Sequence, residues 1–120
     1  MKIIFTTSGD TLDAALDPSF GRARNFLLYD LESEAFDIIS NQQNLNAAQG
    51  AGIQAAQTIA KAGAQALITG HCGPKAFRVL EAASIKVFNT NATTVAEALA
   101  RYRSGDLSEA KSANVEGHWA

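Results

Sequence analysis

The stretch Ala66-Leu67-Ile68-Thr69-Gly70-His71-Cys72-Gly73-Pro74 changes character twice within nine residues. Its first four residues form a compact apolar run that reads as a buried strand. Gly70 and Gly73 then punctuate a turn. Pro74 is suited to open a helix, because its missing N–H would have no partner in the first turn anyway. Phe77, Leu80 and Ala83 follow at helical spacing and are expected to form that helix's inner face. Lys86–Asn89 reads as the next strand, so the unit is strand, helix, strand, and a right-handed crossover makes its two strands parallel.

Further along, Thr94 and Glu97 match a capping box, Val95, Ala98, Leu99 and Tyr102 form an apolar stripe, and Gly105 is placed to end that helix. Upstream, Ile53, Ala56 and Ala60 recur at helical spacing before Gly63, a second glycine stop. Asn25–Asp30 and Ala35–Ser40 flank the polar Leu31-Glu32-Ser33-Glu34 and read as an antiparallel hairpin. Lys2–Thr6, β-branched and aromatic, reads as a buried first strand that ends at Ser8-Gly9-Asp10. Between it and the hairpin, residues 7 to 24 are expected to be loop, with a short helical turn at Leu12 to Leu16. Residues 41 to 52, rich in Asn, Gln and Gly, form the longest polar loop.

The resulting order places the first, third, fourth and fifth strands parallel and the second antiparallel. This is an α/β fold with a mixed five-stranded sheet. The loops at 7–24, 41–52, 70–74 and 90–93 then emerge together at the carboxyl end of the parallel strands, where open α/β sheets bind ligands. Residues 1–107 form a single domain and 108–120 a polar C-terminal tail.

Composition narrows the possibilities. At 120 residues and 12.7 kDa the chain suits one core, and 47% apolar against 18% charged residues argues for a folded domain. A net charge of -2 provides no general attraction for nucleic acid or a membrane surface. The one cysteine, Cys72, excludes an internal disulfide, and there is no basic, apolar secretion signal at the N-terminus, so a cytoplasmic protein is expected. No apolar run approaches the ~20 residues that span a bilayer.

Two segments can carry chemistry. Asp17-Pro18-Ser19-Phe20-Gly21-Arg22-Ala23 is a turn in which Arg22 offers a fixed fork of donors to an anion. In the Gly70-His71-Cys72-Gly73 turn, backbone N–H groups and the following helix dipole suit an anion, while Cys72 and His71 are candidate ligands for a soft or borderline metal. The four spaced ligands of a closed zinc site are lacking. Asn41, Asn44 and Asn46, with Gly50-Ala51-Gly52, can supply amide donors or simply a solvated loop and a helix start. His118 and Trp119 can supply a ligand and an aromatic cover or belong to a frayed end. Asp10, Asp13 and Asp17 read as loop-solvating acids. Phosphoester hydrolysis needs converging carboxylates around two metal ions, and the strands offer Asp30 and Asp37 alone. With no Walker loop, nucleotide fingerprint or nucleophile-and-base pattern, the chain is expected to bind rather than catalyse.

Taken in series, Asp17-Pro18-Ser19-Phe20-Gly21-Arg22-Ala23, Gly50-Ala51-Gly52, Thr69-Gly70 with Gly73-Pro74 and Ala76, and Thr94-Val95 with Glu97-Ala98-Leu99 resemble the dinitrogenase iron-molybdenum cofactor biosynthesis family. The resemblance runs from about Lys2 to Leu107. It implies a three-layer α/β/α fold of the ribonuclease-H-like kind. It also implies a relationship to the orange protein of sulfate reducers, which holds a molybdenum-copper sulfide cluster without covalent attachment. By that resemblance the chain is a nitrogenase accessory factor-like carrier or chaperone for a preformed anionic metal-sulfur cluster of the molybdenum-iron or molybdenum-copper type. Its implied cradle is Arg22, Asn44, Gly70, His71, Cys72 and Gly73, with Cys72 and His71 the metal ligands. Its implied partners are metallocluster donor or acceptor proteins, with oligomeric state left open. The alternative is an interaction or regulatory module of the same fold without cofactor.

Overall fold

The structure, a computed structural model, describes residues 1–42 and 50–111. Its elements in chain order are β1 (Lys2–Thr7), β2 (Asn25–Asp30), β3 (Phe36–Ser40), α1 (Ala51–Lys61), β4 (Ala66–Thr69), α2 (Pro74–Ala82), β5 (Lys86–Asn89) and α3 (Val95–Arg103). The strands form one sheet in the order β3-β2-β1-β4-β5. β2 runs antiparallel to both β1 and β3, while β4 is parallel to β1 and β5 to β4. The mixed sheet with one antiparallel strand is therefore the one the sequence predicts.

The central strands are apolar on both faces because both faces are covered. Ile3, Ile4 and Phe5 of β1 and Ala66, Leu67 and Ile68 of β4 are fully buried. Successive side chains point to opposite sides, which divides them between two cores. Ile4 and Leu67 join Phe26, Val87, Ala55, Ala56, Ile59 and Leu80 beneath α1 and α2. Ile3, Phe5, Ala66 and Ile68 join Leu27, Tyr29, Val95, Ala98 and Leu99 beneath α3. Helices thus cover both faces, giving three layers.

The helix ends follow the chemistry of their sequences. Pro74 opens α2, and Gly63 and Gly105 adopt φ of 84° and 79° just beyond α1 and α3. At α3, the Thr94 hydroxyl accepts from the Glu97 N–H at 3.1 Å, while the Glu97 carboxylate reaches the Thr93 N–H at 2.9 Å. The box therefore closes one residue upstream of its usual partner.

Three expectations require correction. Leu12 to Leu16 is not helical: the Ala14 N–H closes a turn on Thr11, and Ala15 and Leu16 then bridge Thr94 and Thr7 in extended conformation. The Thr7 hydroxyl donates to the Ala15 carbonyl at 2.8 Å, and the Leu16 N–H donates to Thr93, so tertiary partners take the bonds a helical turn would use. Ala83 is exposed, because α2 ends at Ala82 and Ser84 turns the chain with φ of 61°; Ala76 and Leu80 form the buried face instead. In α1 the buried stripe centres on Ala55, Ala56 and Ile59, with Ile53 only half-buried. The segment after 107 starts engaged: the Ala110 N–H donates to the Val87 carbonyl at 2.7 Å and Glu109 bridges Phe88, which shields the outer edge of β5.

Glycines set how the loops at the carboxyl end meet. A Cβ at Gly70 would lie 2.6 Å from the Pro18 Cα and carbonyl oxygen, and one at Gly21 3.0 Å from the Gly52 nitrogen. The loop after β1 is therefore held backbone to backbone against the β4–α2 turn and the start of α1. Gly70→Ala is expected to destabilise by roughly 1–3 kcal/mol in urea unfolding, the range for overpacked sites. Thr94→Ala should cost about 1 kcal/mol, as for loss of an N-cap hydroxyl. Leu80→Ala should cost roughly 2–5 kcal/mol by leaving a core cavity.

Candidate functional site

The carboxyl ends of β1, β4 and β5 and the start of β2 meet at one end of the sheet, and the buried polar side chains concentrate there. Thr6, Thr7, Asn41 and Thr69 are all fully buried. Thr6, Thr7 and Asn41 hold loops directly, and Thr69 bonds to Thr6. The Thr6 hydroxyl donates to the Asp17 carbonyl at 2.5 Å, so in its 2.9 Å contact with Thr69 the Thr69 hydroxyl is the donor. The Asn41 amide donates to the Ala23 carbonyl at 2.7 Å and the Gly21 carbonyl at 3.3 Å, while its backbone N–H donates to Arg24 at 2.9 Å. Arg22 thus stands between two carbonyls gripped by a single side chain, on a held stretch of backbone with its own side chain exposed.

Next to it, Ser19 and His71 form a short parallel bridge. The His71 N–H donates to the Pro18 carbonyl at 2.8 Å, and its carbonyl accepts from the Phe20 N–H at 3.4 Å. The Asp17 carboxylate stabilises the same bend by accepting the Ser19 N–H at 2.9 Å. One of the turn's expected anion donors, the His71 N–H, is therefore committed to the protein. The first N–H groups of α2, at Lys75 and Ala76, have no partner within the helix and point out of its end.

His71 and Cys72 are adjacent in sequence and opposite in space. The imidazole of His71 is exposed, whereas Cys72 is 2% exposed and packs in the core with Phe20, Ala76 and Leu80. Its sulfur lies 3.6 Å from the Gly73 carbonyl. Burial pushes the thiol up from 9.0 to about 12, so it is neutral at physiological pH. A thiol must lose its proton to bind a metal, so the surroundings of Cys72 oppose ligation. Among the described residues, no three His, Cys, Asp or Glu side chains gather as a metal site would need.

The other sequence candidates fall differently. Asn41 is committed to the loop clamp. Asn44, Asn46, His118 and Trp119 lie outside the described residues. Asp30 lies at the opposite end of the sheet, paired in register with Lys2, and its carboxylate accepts the N–H groups of Glu32 and Ser33, which hold its pKa below the ordinary value. Asp37 is exposed on β3, opposite Leu28. Neither aspartate is near the loop end, so the carboxylate cluster of a two-metal hydrolase is absent among the described residues.

Asn89 belongs to the same candidate surface and was missed in reading the sequence. Its side-chain amide donates to the Gly70 carbonyl at 3.3 Å and so braces the turn from the β5 side. Its position as the last residue of a strand, at the end where open α/β sheets bind ligands, was the available signal. Beyond it a groove of about 430 Å³ opens between Gly70, Asn89, Thr90, Asn91, Arg101 and Asp106.

Residues 1–105 match the family model described as dinitrogenase iron-molybdenum cofactor. An uncharacterized protein of Methanocaldococcus jannaschii is 33% identical over 95 residues, which cover 77% of this chain and 80% of that one. The apo form of the orange protein from Desulfovibrio gigas superposes with a TM-score of 0.93 at 41% identity, covering 95% of this chain and 96% of that one. A NifB-related protein from Thermotoga, solved by NMR, superposes with a TM-score of 0.80 at 30% identity, covering 90% and 91%. With the family model spanning nearly the whole chain and the same architecture in these relatives, the protein belongs to the dinitrogenase iron-molybdenum cofactor family.

Proposed function

We infer that this chain carries a preformed, anionic metal-sulfur cluster, of the molybdenum-iron or molybdenum-copper type, at the carboxyl end of its sheet and passes it to another protein. The observation that carries the reading is the joining of Arg22, the Gly70–Gly73 turn and the start of α2 into one rigid, donor-bearing surface. Membership of the cofactor family and the likeness to the orange protein support it.

The cargo chemistry follows from the residues. The guanidinium of Arg22 and the forward-facing N–H groups of α2 suit sulfide ligands through charge-assisted hydrogen bonds. His71, exposed beside them, offers an imidazole nitrogen to a metal at the cluster's surface. Cys72 supports the turn from below with its neutral thiol. Non-covalent holding of this kind lets the cluster leave intact, which a carrier requires and a catalyst does not. Metallocluster donor and acceptor proteins are its partners in this reading.

Anaerobic reconstitution with tetrathiomolybdate and copper(I), or with iron and sulfide, should give folded protein a cluster-derived visible absorption. Arg22→Ala should weaken cluster affinity about tenfold, the loss expected for one charge-assisted contact. Cys72→Ala should retain the colour. Folded protein that stays colourless under every cluster supplied would instead favour the interaction module without cofactor.

The buried thiol supplies a separate check by pH. Because the folded pKa is raised, the unfolded chain loses the Cys72 proton first, so stability is retained below pH 9 and declines between 9.0 and about 12. Urea midpoints should therefore fall less steeply over that window in Cys72→Ala than in the natural protein. Equal slopes would show that the thiol is not buried as described.

A further inference from the structure

The groove on the β5 side of Gly70 has a chemical character of its own. We propose that it is a second binding site, for a small oxyanion that also carries a hydroxyl group, either inorganic such as hydrogenphosphate or organic such as a hydroxycarboxylate.

Several hydrogen-bond donors border it. The Arg101 guanidinium is fixed from two directions, donating to the Asn91 side-chain oxygen at 2.8 Å and lying 3.6 Å from the Glu97 carboxylate. Its remaining N–H groups have no protein partner among the described residues. Since the Asn91 oxygen faces Arg101, the amide NH2 of Asn91 must face away and is another donor. The Thr90 hydroxyl accepts the Ala92 N–H at 3.1 Å, which leaves its own proton to give. Three donors from the loop after β5 and from α3 therefore border one open groove of about 430 Å³.

Acceptors border the same groove. The Asn89 amide nitrogen is turned to Gly70, so its oxygen is left for a donor. Asp106 brings a carboxylate that takes one hydrogen bond from Ser104 at 2.9 Å. That negative charge, with Glu97 behind Arg101, works against a highly charged ligand such as a polyphosphate. It favours a ligand that offers an O–H to these acceptors and oxygens to the donors beside them.

The floor is firm enough to preorganise these groups. The Thr90 N–H donates to the Thr69 carbonyl at 3.0 Å, the Leu16 N–H to Thr93 at 3.0 Å and the Val95 N–H to Ala14 at 3.0 Å. The loop from 90 to 94 is thereby tied to β4 and to the segment after β1. Asn89 touches both the groove and the Gly70 turn, so a ligand here sits beside the cluster surface without sharing Arg22 or His71 with it.

The test uses full-length protein with no cluster present. Side-chain amide and guanidinium resonances are followed by NMR while inorganic phosphate, malate, succinate or triphosphate is added. The expected result is saturable movement of the Asn91 amide and the Arg101 Nε–H, with a Kd of about 1 mM or tighter for phosphate or malate. Succinate, which lacks the hydroxyl, should bind several-fold more weakly than malate, and triphosphate should not saturate. Phosphate binding alone or malate binding alone identifies the inorganic or organic source. Arg101→Met should abolish the response, and Asp106→Asn should erase the preference for malate over succinate. Changes confined to the neighbourhood of Arg22 and His71, unsaturable drift with every probe, or unchanged binding in folded Arg101→Met would overturn the proposal. None of these results depends on cluster binding, so the two readings fail separately.

Discussion

The N–H of His71 reaches the carbonyl of Pro18 over 2.8 Å, and Gly70 lies so near Pro18 that a side-chain carbon there would fall 2.6 Å from its backbone. A long connection such as residues 8–24 tends to be mobile unless something gives its backbone partners. Here the β4–α2 turn does so, and the loop continues the sheet for one residue pair beyond its last strand. The steric demand and the hydrogen bond act together, because only glycine at position 70 permits an approach close enough for the bond. The packing of Phe20 goes with that contact, while Asn41 holds the carbonyls on either side of Arg22 and the chain entering β2.

Packing loops tightly over a sheet end buries irregular backbone, and irregular backbone brings carbonyls that need donors. The protein meets this need with Thr6, Thr7 and Asn41, which serve the carbonyls of Asp17, Ala15, Ala23 and Gly21, while Thr69 donates to the Thr6 hydroxyl. These side chains resemble binding groups in type and location, yet their hydrogen bonds are directed inward. The outward chemistry is left to a few exposed groups on a rigid base. Such rigidity suits the proposed carrier role, since a surface already in shape loses little ordering entropy when a ligand arrives.

Cys72 and His71 illustrate how a turn can separate neighbours. The bridge to Ser19 extends the backbone at His71, and the next residue faces the opposite way, as alternation along a strand requires. One side chain therefore meets solvent and the other meets Phe20 and Ala76. A pair that reads as two metal ligands becomes one accessible imidazole and one neutral thiol in the core. Asn89 shows the converse, since an unremarked strand end proves to brace the turn on which the site depends.

By itself, the sequence determined the architecture. Apolar runs at Lys2–Thr6 and Ala66–Thr69, the Pro74 and Thr94 helix starts, and the glycine stops at Gly63 and Gly105 are local signals, and local backbone preference is enough to read them. Chain order and crossover geometry then placed the loops at one end of the sheet, where the candidate site lies. Tertiary structure decided what each residue there does. Whether Leu12–Leu16 coils or extends depended on Thr7 and Thr93, far from it in the chain. Whether Asn41 faces a ligand or a carbonyl depended on where residues 21–24 pass. The protonation of Cys72 depended on the core around it, because burial is a property of neighbours drawn from many elements and no window of sequence contains them all.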